Sequence, residues 1–350
     1  MKLSDFDFEL PDEAIALRPV NPRDSARMLH VLPTGPEDHQ VTDLVDLLNP
    51  GDVLVLNETK VFPAALTAVR KARPVGGGGD VTIQVNLHKS EGDSKWRAFV
   101  KPAKRLRVND KIYFGEHLSA EVVEKHDGGD VLLSFDLGGA DLMLEISRIG
   151  MPPLPPYIAR QRSVDKQDVD DYQTVYAKDA GSVAAPTAGL HFTDNLIERL
   201  KAKGVVFATL TLHVGAGTFL PVKTEDISEH QMHSEWFELS GELVDKINRA
   251  KSAGHRVVAV GTTSLRALES SRVNGTLKPQ ARETDIFITP GYPFKVIDGL
   301  MTNFHLPKST LFMLVCALAG TKTMQNAYAH AIKTGYRFYS YGDSSLIWKA

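Results

Sequence analysis

Cysteine is almost missing from this 350-residue chain: the single Cys316 lies in the apolar run Leu311 to Ala319. One thiol cannot close an internal disulfide, and it cannot supply the several sulfur ligands of a zinc-thiolate site. Long apolar runs are missing too, since no segment approaches the ~20 consecutive apolar residues that cross a bilayer. The opening stretch Met1 to Asp7 is acidic and has no apolar core, so a soluble cytoplasmic protein without membrane association is expected. Charge of one sign is not in excess either: 40 Lys and Arg face 43 Asp and Glu, a formal net charge of −3. Any nucleic acid must then be gripped by local basic patches rather than by overall charge. Internal repeats and low-complexity tracts are also lacking.

What remains is an ordinary globular composition, 43% hydrophobic and 24% charged, in a chain long enough for two domains. Residues Thr42 to Leu48 suggest a short helix stopped by Asn49-Pro50-Gly51-Asp52, and Val53 to Leu56 a buried strand. The texture changes after residue 60. Val81, Ile83, Val85 and Leu87 alternate with Thr82, Gln84, Asn86 and His88, the period-two pattern of a half-buried strand. Trp96–Val100, Lys111–Phe114, Ala120–Glu124 and Val131–Phe135 follow at hairpin spacing, with Gly76–Gly79 and Asp127–Asp130 as turn tips, which suggests a small barrel.

After Met151-Pro152-Pro153-Leu154-Pro155-Pro156 helices and strands alternate again. Thr193 reads as an N-cap and Gly204 as the stop of one helix; Val205–His213 reads as a strand. A helix over Glu242–Ser252, a strand over Val257–Val260, a helix over Ser264–Ser271 and a strand over Asp285–Ile288 follow. The expected fold is α/β: a layered domain formed by residues 1–60 and 150–350, interrupted at 61–149 by an inserted all-β barrel.

Several strings carry potential chemistry. Gly261-Thr262-Thr263-Ser264 lies between a strand and a helix, where small residues admit a ligand and free amides favour an anion. Arg266 follows in the first turns, where a cation opposes the helix dipole and calls for compensation. Val214-Gly215-Ala216-Gly217-Thr218 lacks the third glycine of a dinucleotide loop, and Phe219-Leu220-Pro221 does not open a helix. It is still a plausible ligand approach at a strand end. His191, His213 and His305 each fall in a loop or at a strand end, where active sites of open sheets gather. His230 and His233, with Glu235 near them, lack a third ligand and a helical frame, so no metal is expected there. Lys101, Lys104, Arg105 and Arg107 form the densest basic cluster, read either as a solvated hairpin tip or as a phosphate-contacting patch. Arg160 and Arg162 are a second basic candidate.

Taken together, the chain resembles the S-adenosylmethionine:tRNA ribosyltransferase-isomerase family. The strings that carry the likeness are Leu56-Asn57-Glu58-Thr59-Lys60-Val61, Pro186-Thr187-Ala188-Gly189-Leu190-His191-Phe192-Thr193 and His213-Val214-Gly215-Ala216-Gly217-Thr218-Phe219. To these are added Val260 to Arg266, Thr284 to Ile288, Asp298 to Pro307 and Tyr336 to Asp343. Ser344-Ser345 departs from an expected Ala-Met, and the β insert matches most loosely.

The resemblance implies a transferase of queuosine biosynthesis. In that family S-adenosylmethionine, a co-substrate rather than a resident cofactor, donates its ribosyl portion. The acceptor is 7-aminomethyl-7-deazaguanine at the wobble position of tRNA; epoxyqueuosine forms, and adenine and methionine leave. Such chemistry asks for a base at the 5′ carbon, help for the departing adenine and a neutral acceptor amine, and for no metal, ATP or redox group. It implies His191, His213 and His305 as base or acid, with Asp298 or Glu269 tuning them. Thr187, Gly189, Gly215, Gly217, Thr218, Gly261, Thr262, Thr263 and Arg266 would hold the donor, the last four its carboxylate. Lys101, Lys104, Arg105, Arg107, Arg160 and Arg162 would meet RNA, and a monomer is expected. Two rivals are an RNA methyltransferase using the same donor, disfavoured by the missing glycine loop, and a non-catalytic RNA-binding module.

Overall fold

The computed structural model describes residues 1–74, 79–215, 224–232 and 234–350. Along the chain the strands used below are β1 Arg27–Leu32, β2 Gly35–Gln40 and β3 Val53–Asn57, with helix α1 Leu44–Leu47 before β3. Then come β4 Ala65–Arg70, β5 Val81–Ser90, β6 Lys95–Lys101, β7 Lys111–Phe114, β8 Leu118–Lys125 and β9 Asp130–Phe135, followed by helix α2 Gly139–Ile149. The remainder comprises α3 Asp194–Lys203, β10 Val206–Leu212, β11 Glu235–Leu239, α4 Gly241–Ser252, β12 Val257–Val260, α5 Thr262–Ser270, β13 Gln280–Thr284, β14 Gly299–Asn303, α6 Thr310–Ala319, α7 Thr321–Lys333 and β15 Ser344–Trp348.

The chain divides into two compact units. The first contains residues 1–60, 171–180 and 185–350. Nine of its described strands form one sheet in the order β13-β11-β10-β3-β12-β14-β15-β1-β2. The centre is parallel: β3 pairs in parallel with both β10 and β12, and β12 with β14. The rest of the sheet is largely antiparallel, with β15 against β14, β2 against β1, and β11 between β10 and β13. All five residues of β3 are buried, as expected for a strand covered on both faces. Leu54 and Leu56 join Leu44, Leu48, Leu196, Leu200, Val258 and Met301 in one core under α1 and α3.

Local signals act as the sequence suggests in several places. Thr193 caps α3 by accepting from the Leu196 amide at 3.2 Å, and Gly204 ends it in the left-handed conformation, φ 94°. The strand expected over Asp285–Ile288 does not form; pairing instead covers Gln280–Thr284, opposite β11. Ile288 is apolar and buried without a strand neighbour, so its burial, not a ladder, explains the apolar pattern there.

The second unit contains residues 61–170 and 181–184. Its six strands close in the order β9-β6-β5-β4-β7-β8. In β5, Ile83, Val85 and Leu87 are buried while Thr82, Gln84 and Asn86 face water. The boundary differs from the expected residue 149: Met151 exchanges backbone hydrogen bonds with Ala65 (2.9 and 3.0 Å), which ties residues 150–170 to the barrel and not to the α/β unit. The basic segment after β6 also differs from a hairpin tip. It leads from β6 to β7, which are not neighbours in the barrel. The turn expected at Gly76–Gly79 falls, but for Gly79, outside the described residues.

The amino edge of the parallel sheet is closed by Asp52. Buried at 2% exposure, it accepts from the amides of Asn49 (2.8 Å) and Arg256 (3.0 Å) and from Arg256 Nε (2.9 Å). Arg256 also lies over the Trp348 ring, 4.3 Å from its centroid. One carboxylate thus joins the starts of β3 and β12. Replacing Asp52 by Ala leaves two amides and a guanidinium without that acceptor. The variant is expected to lose about 3 kcal/mol in denaturant unfolding, the scale of a broken buried ionic network. A loss under about 0.5 kcal/mol would place the cohesion of this edge elsewhere.

Candidate active site

In a parallel sheet the carboxyl ends of all strands lie on one edge, and ligands bind there because loops diverge and helix amino termini point inward. In sheet order that edge presents His213 after β10, Asn57-Glu58-Thr59 at β3, Gly261 after β12 and Asn303 at the end of β14. Four strings far apart in sequence therefore meet on one edge.

Asn57 is the fixed point of this edge. Its side-chain amide is fully buried; Nδ2 donates to the Leu212 carbonyl (2.9 Å), and Oδ1 accepts from the amides of Leu212 (3.0 Å) and Thr59 (3.2 Å). Leu212 is the last residue of β10, so this one amide sets where His213 begins. The His213 ring stacks on Trp236 of β11, centroids 5.1 Å apart and 19° between planes. Its Nδ1 lies 3.1 Å from the Thr59 hydroxyl, which also reaches the Asp179 carbonyl at 3.4 Å. A hydroxyl that donates to that carbonyl accepts from Nδ1–H, and the lone pair is then on Nε2. Burial lowers the ring's pKa, against a raising contribution from Asp179, so it is neutral at pH 7. A neutral imidazole with an available Nε2 is the form a general base needs.

His191 is differently placed. Asn303 Nδ2 donates to its Nε2 (3.2 Å), while Asn303 Oδ1 accepts from Thr187 (2.9 Å). Its other nitrogen is bonded to the Arg23 backbone, and burial, then the Arg337 and Arg23 charges, push its pKa down to about 4. With both nitrogens engaged, His191 orients the Asn303 amide rather than offering a free base. It also lines a small pocket with Arg23, Arg337, Ser340 and Gly342. His305 turns into the core: Nε2 faces the Thr302 hydroxyl at 3.2 Å, its amide donates to Tyr328 Oη at 3.0 Å, and burial pushes its pKa down to about 3. The ring is neutral and nearly enclosed, at 8% exposure, and through Thr302 and Tyr328 it fastens the loop after β14 to the core.

The two carboxylates expected near these histidines are elsewhere. Asp298 precedes β14, at the amino edge, where its carboxylate accepts from the Val257 amide at 2.9 Å. Glu269 sits at the far end of α5 and accepts from the amides of Lys295, Val296 and Ile297, at 2.9 to 3.2 Å. It holds a loop together. Neither reaches the carboxyl edge.

The donor candidates divide in the same way. Gly261 adopts φ 90°, donates to the Met301 carbonyl (2.8 Å), and starts α5 with no side chain of its own to cap it; among the described residues no side chain bonds the first-turn amides of Thr262 and Thr263. A Cβ on Gly189 would lie 1.8 Å from Tyr176 Oη, which explains glycine there as close packing. The compensation that Arg266 demands comes from Glu235: the two form a buried ion pair, and the other Glu235 oxygen accepts from the Gly215 amide at 3.3 Å. Arg266 therefore brings little free charge to an anion, though its Nη2 is buried without a hydrogen bond among the described residues. Gly217, Thr218 and His233 lie outside the described residues.

In the barrel unit Lys101, Lys104, Arg105 and Arg107 are all exposed, in a segment anchored by Lys125, which donates to the carbonyls of Ala103 (3.0 Å) and Leu106. Arg160 is exposed as well. Arg162 is not a free cation: it grips the fully buried Asp168 through two bonds of 2.8 and 2.6 Å. Sequence reasoning placed Asn57, Thr59 and Asn303 within the family-like strings and Glu235 beside His230 and His233 but gave none of them a role, and it passed over Trp236. Their advance signal was position alone.

With this geometry established, comparison adds identity by likeness. Residues 3–347 match the family described as queuosine biosynthesis protein. A protein of Maricaulis maris named S-adenosylmethionine:tRNA ribosyltransferase-isomerase is 60% identical, with 99% of each chain covered. A Caulobacter vibrioides protein of the same name is 58% identical over all of this chain and 99% of its own. The crystal structure of S-adenosylmethionine tRNA ribosyltransferase from Thermotoga maritima is similar at 34% identity and a TM-score of 0.55, covering 98% of this chain and all of the other.

The two buried histidines predict an acid sensitivity. Both folded pKa values lie below the ordinary 6.5, so between these values the unfolded chain binds protons that the folded chain does not. Their stabilisation is whole above about pH 6.5 and is lost as pH falls toward 4 for His191 and 3 for His305. At pH 5 each has lost about 2 kcal/mol, from ~1.4 kcal/mol per pH unit. Denaturant unfolding at pH 7 and pH 5 measures this, and His305→Gln should show a pH-dependent loss smaller by about 2 kcal/mol. An unchanged dependence would mean that His305 titrates normally.

Proposed function

The chain belongs to the queuosine biosynthesis protein family, and on that premise we propose that it is a transferase acting on tRNA with S-adenosylmethionine as co-substrate. It transfers and isomerises the ribosyl moiety of the donor onto 7-aminomethyl-7-deazaguanine at the wobble position. Epoxyqueuosine forms, and adenine and methionine are released. The names of the full-length relatives support this reading. So does the one observation that carries most weight, the convergence of His213, the free start of α5 and Asn303 on the carboxyl edge of four parallel strands.

His213 is the general base in this proposal. The sulfonium acidifies the 5′ carbon; its C–H bond breaks, the proton passes to Nε2, and the electron pair stays on carbon. Trp236 holds the ring plane, and Thr59 holds the Nδ1 proton in place. The first-turn amides of α5 receive the methionine carboxylate. Arg266, already paired with Glu235, contributes chiefly by fixing the helix. The Asn303 amide, locked by Thr187 and His191, presents the remaining polar edge to the donor. No described helix is long and apolar enough to cross a membrane, and a tRNA substrate places the protein in the cytoplasm.

Incubation with precursor tRNA and ribose-labelled donor should label the RNA, with adenine and methionine released in equal amounts. Label arriving from the methyl group alone would sink the proposal in favour of an RNA methyltransferase. In the same assay His213→Ala should lower turnover by roughly 10²–10⁴-fold with little change in donor binding.

Lys101, Lys104, Arg105 and Arg107 are the proposed phosphate contacts, joined by Arg160; Arg162 drops out because Asp168 already holds it. Changing the first four to Ala should weaken tRNA binding and reduce its salt slope by up to about three to four units, at ~0.7–0.9 per phosphate contact. A salt series on both proteins reads this directly, and an unchanged slope would leave the segment as a solvated crossover.

A further inference from the structure

The carboxyl end of β3 carries a carboxylate that neither the histidines nor the glycine strings point to. Glu58 is held by its backbone: its amide donates to the Leu210 carbonyl (2.9 Å), and its carbonyl accepts from the Lys178 amide (2.8 Å). Its side chain is 14% exposed, and Glu58 precedes Thr59, the residue whose hydroxyl meets the His213 ring on the same sheet edge. The Lys178 ammonium lies 2.9 Å from Oε2. That ammonium, its pKa raised by the contact, is all that meets this buried oxygen among the described residues; no amide, hydroxyl or guanidinium bonds it.

Other buried carboxylates of the chain are closed differently. Asp52 accepts from two amides and Arg256, Glu269 from three amides, Asp168 from Arg162 through two bonds, and Glu235 from Arg266 and Gly215. Glu58 alone of this group rests on a lysine whose side chain is 71% exposed. A flexible, solvated ammonium returns little against the desolvation of a carboxylate. Such a pair is weak as a structural device and well suited to exchange its cation.

We propose that Glu58 binds a primary ammonium of the ligand, and that Lys178 occupies the position this ammonium takes. The inference rests on the reaction proposed above. Its acceptor carries an aminomethyl group, a primary alkylammonium at neutral pH and the chemical twin of a lysine terminus. The donor carries an α-ammonium of the same class. Binding of either displaces Lys178 into the solvent it already faces, and Oε2 gains an aligned, charge-assisted hydrogen bond.

Two variants of the full chain, Glu58→Gln and Lys178→Ala, test this. Binding is measured for S-adenosylmethionine, for its analogue lacking the α-amine, and for an anticodon stem-loop with either 7-aminomethyl-7-deazaguanine or guanine at the wobble position. Thermal unfolding is followed in parallel. Glu58→Gln should lose about 10- to 100-fold of the preference for the amine-bearing member of one pair, which identifies the source of the ammonium. Lys178→Ala, freed of the competing cation, should keep or sharpen that preference. Unchanged discrimination in Glu58→Gln overturns the proposal, as does parallel loss of stability and binding in both variants, the mark of a plain structural ion pair. Wild-type turnover is assayed on the same stem-loop. Turnover with unaltered Glu58→Gln discrimination overturns the ammonium site alone, whereas lost discrimination without wild-type turnover supports the site and sinks the reaction.

Discussion

The parallel pairing of β10, β3, β12 and β14 is the constraint on which the rest depends. Parallel strands need crossovers, and the crossovers return every chain segment to the same starting edge. All the turns at the other edge then become neighbours, however distant in sequence. His213, Asn57, Gly261 and Asn303 are brought together by nothing more specific than this. The two edges have divided the work. Asp52 and Arg256 bind the amino edge, where Asp298 also lies, while the carboxyl edge keeps amides and an imidazole nitrogen that have no hydrogen-bond partner among the described residues.

A second principle sorts the polar residues of that edge. A buried polar group is costly unless hydrogen-bonded, so most are consumed by the fold. Thr187, Asn303 and His191 satisfy one another in a chain, and Glu235 neutralises Arg266. Each of these residue types draws attention in a sequence because it can do chemistry. Burial turns most of them into scaffolding; among the described residues His213 Nε2 has no hydrogen-bond partner, and Glu58 Oε2 meets only the exposed Lys178 ammonium. The low pKa values of His191 and His305 have the same origin: desolvation disfavours the imidazolium, and neither ring has a carboxylate to oppose it.

The barrel unit shows how a chain with a net charge of −3 still carries a local basic surface. Its basic crossover leaves four side chains in water while Lys125 and the Arg73–Asp110 pair hold the segment's backbone. Arg162 makes the contrast, because Asp168 in reach converts an equally basic residue into an internal strut.

Local chemistry alone determined a good deal. The alternation of Val81 to Leu87, the cap at Thr193 with its stop at Gly204, and the buried run Val53–Leu56 required only side-chain periodicity and turn preference, so barrel strands, helix ends and the α/β class were legible in order. The hairpin of β1 and β2, the strand at Ser344–Trp348 and the failure of Asp285–Ile288 to pair were not, because strand pairing is a contact between distant segments. The same holds for the site. Its histidine and glycine strings could be named from their neighbours in the chain, but the engagement of the His191 ring by Asn303 and of the His213 ring by Thr59 and Trp236 depended on residues that approach them only in space. Periodicity acts over a few residues and is written in the sequence; burial and hydrogen-bond satisfaction act across the fold, and only the tertiary structure decides them.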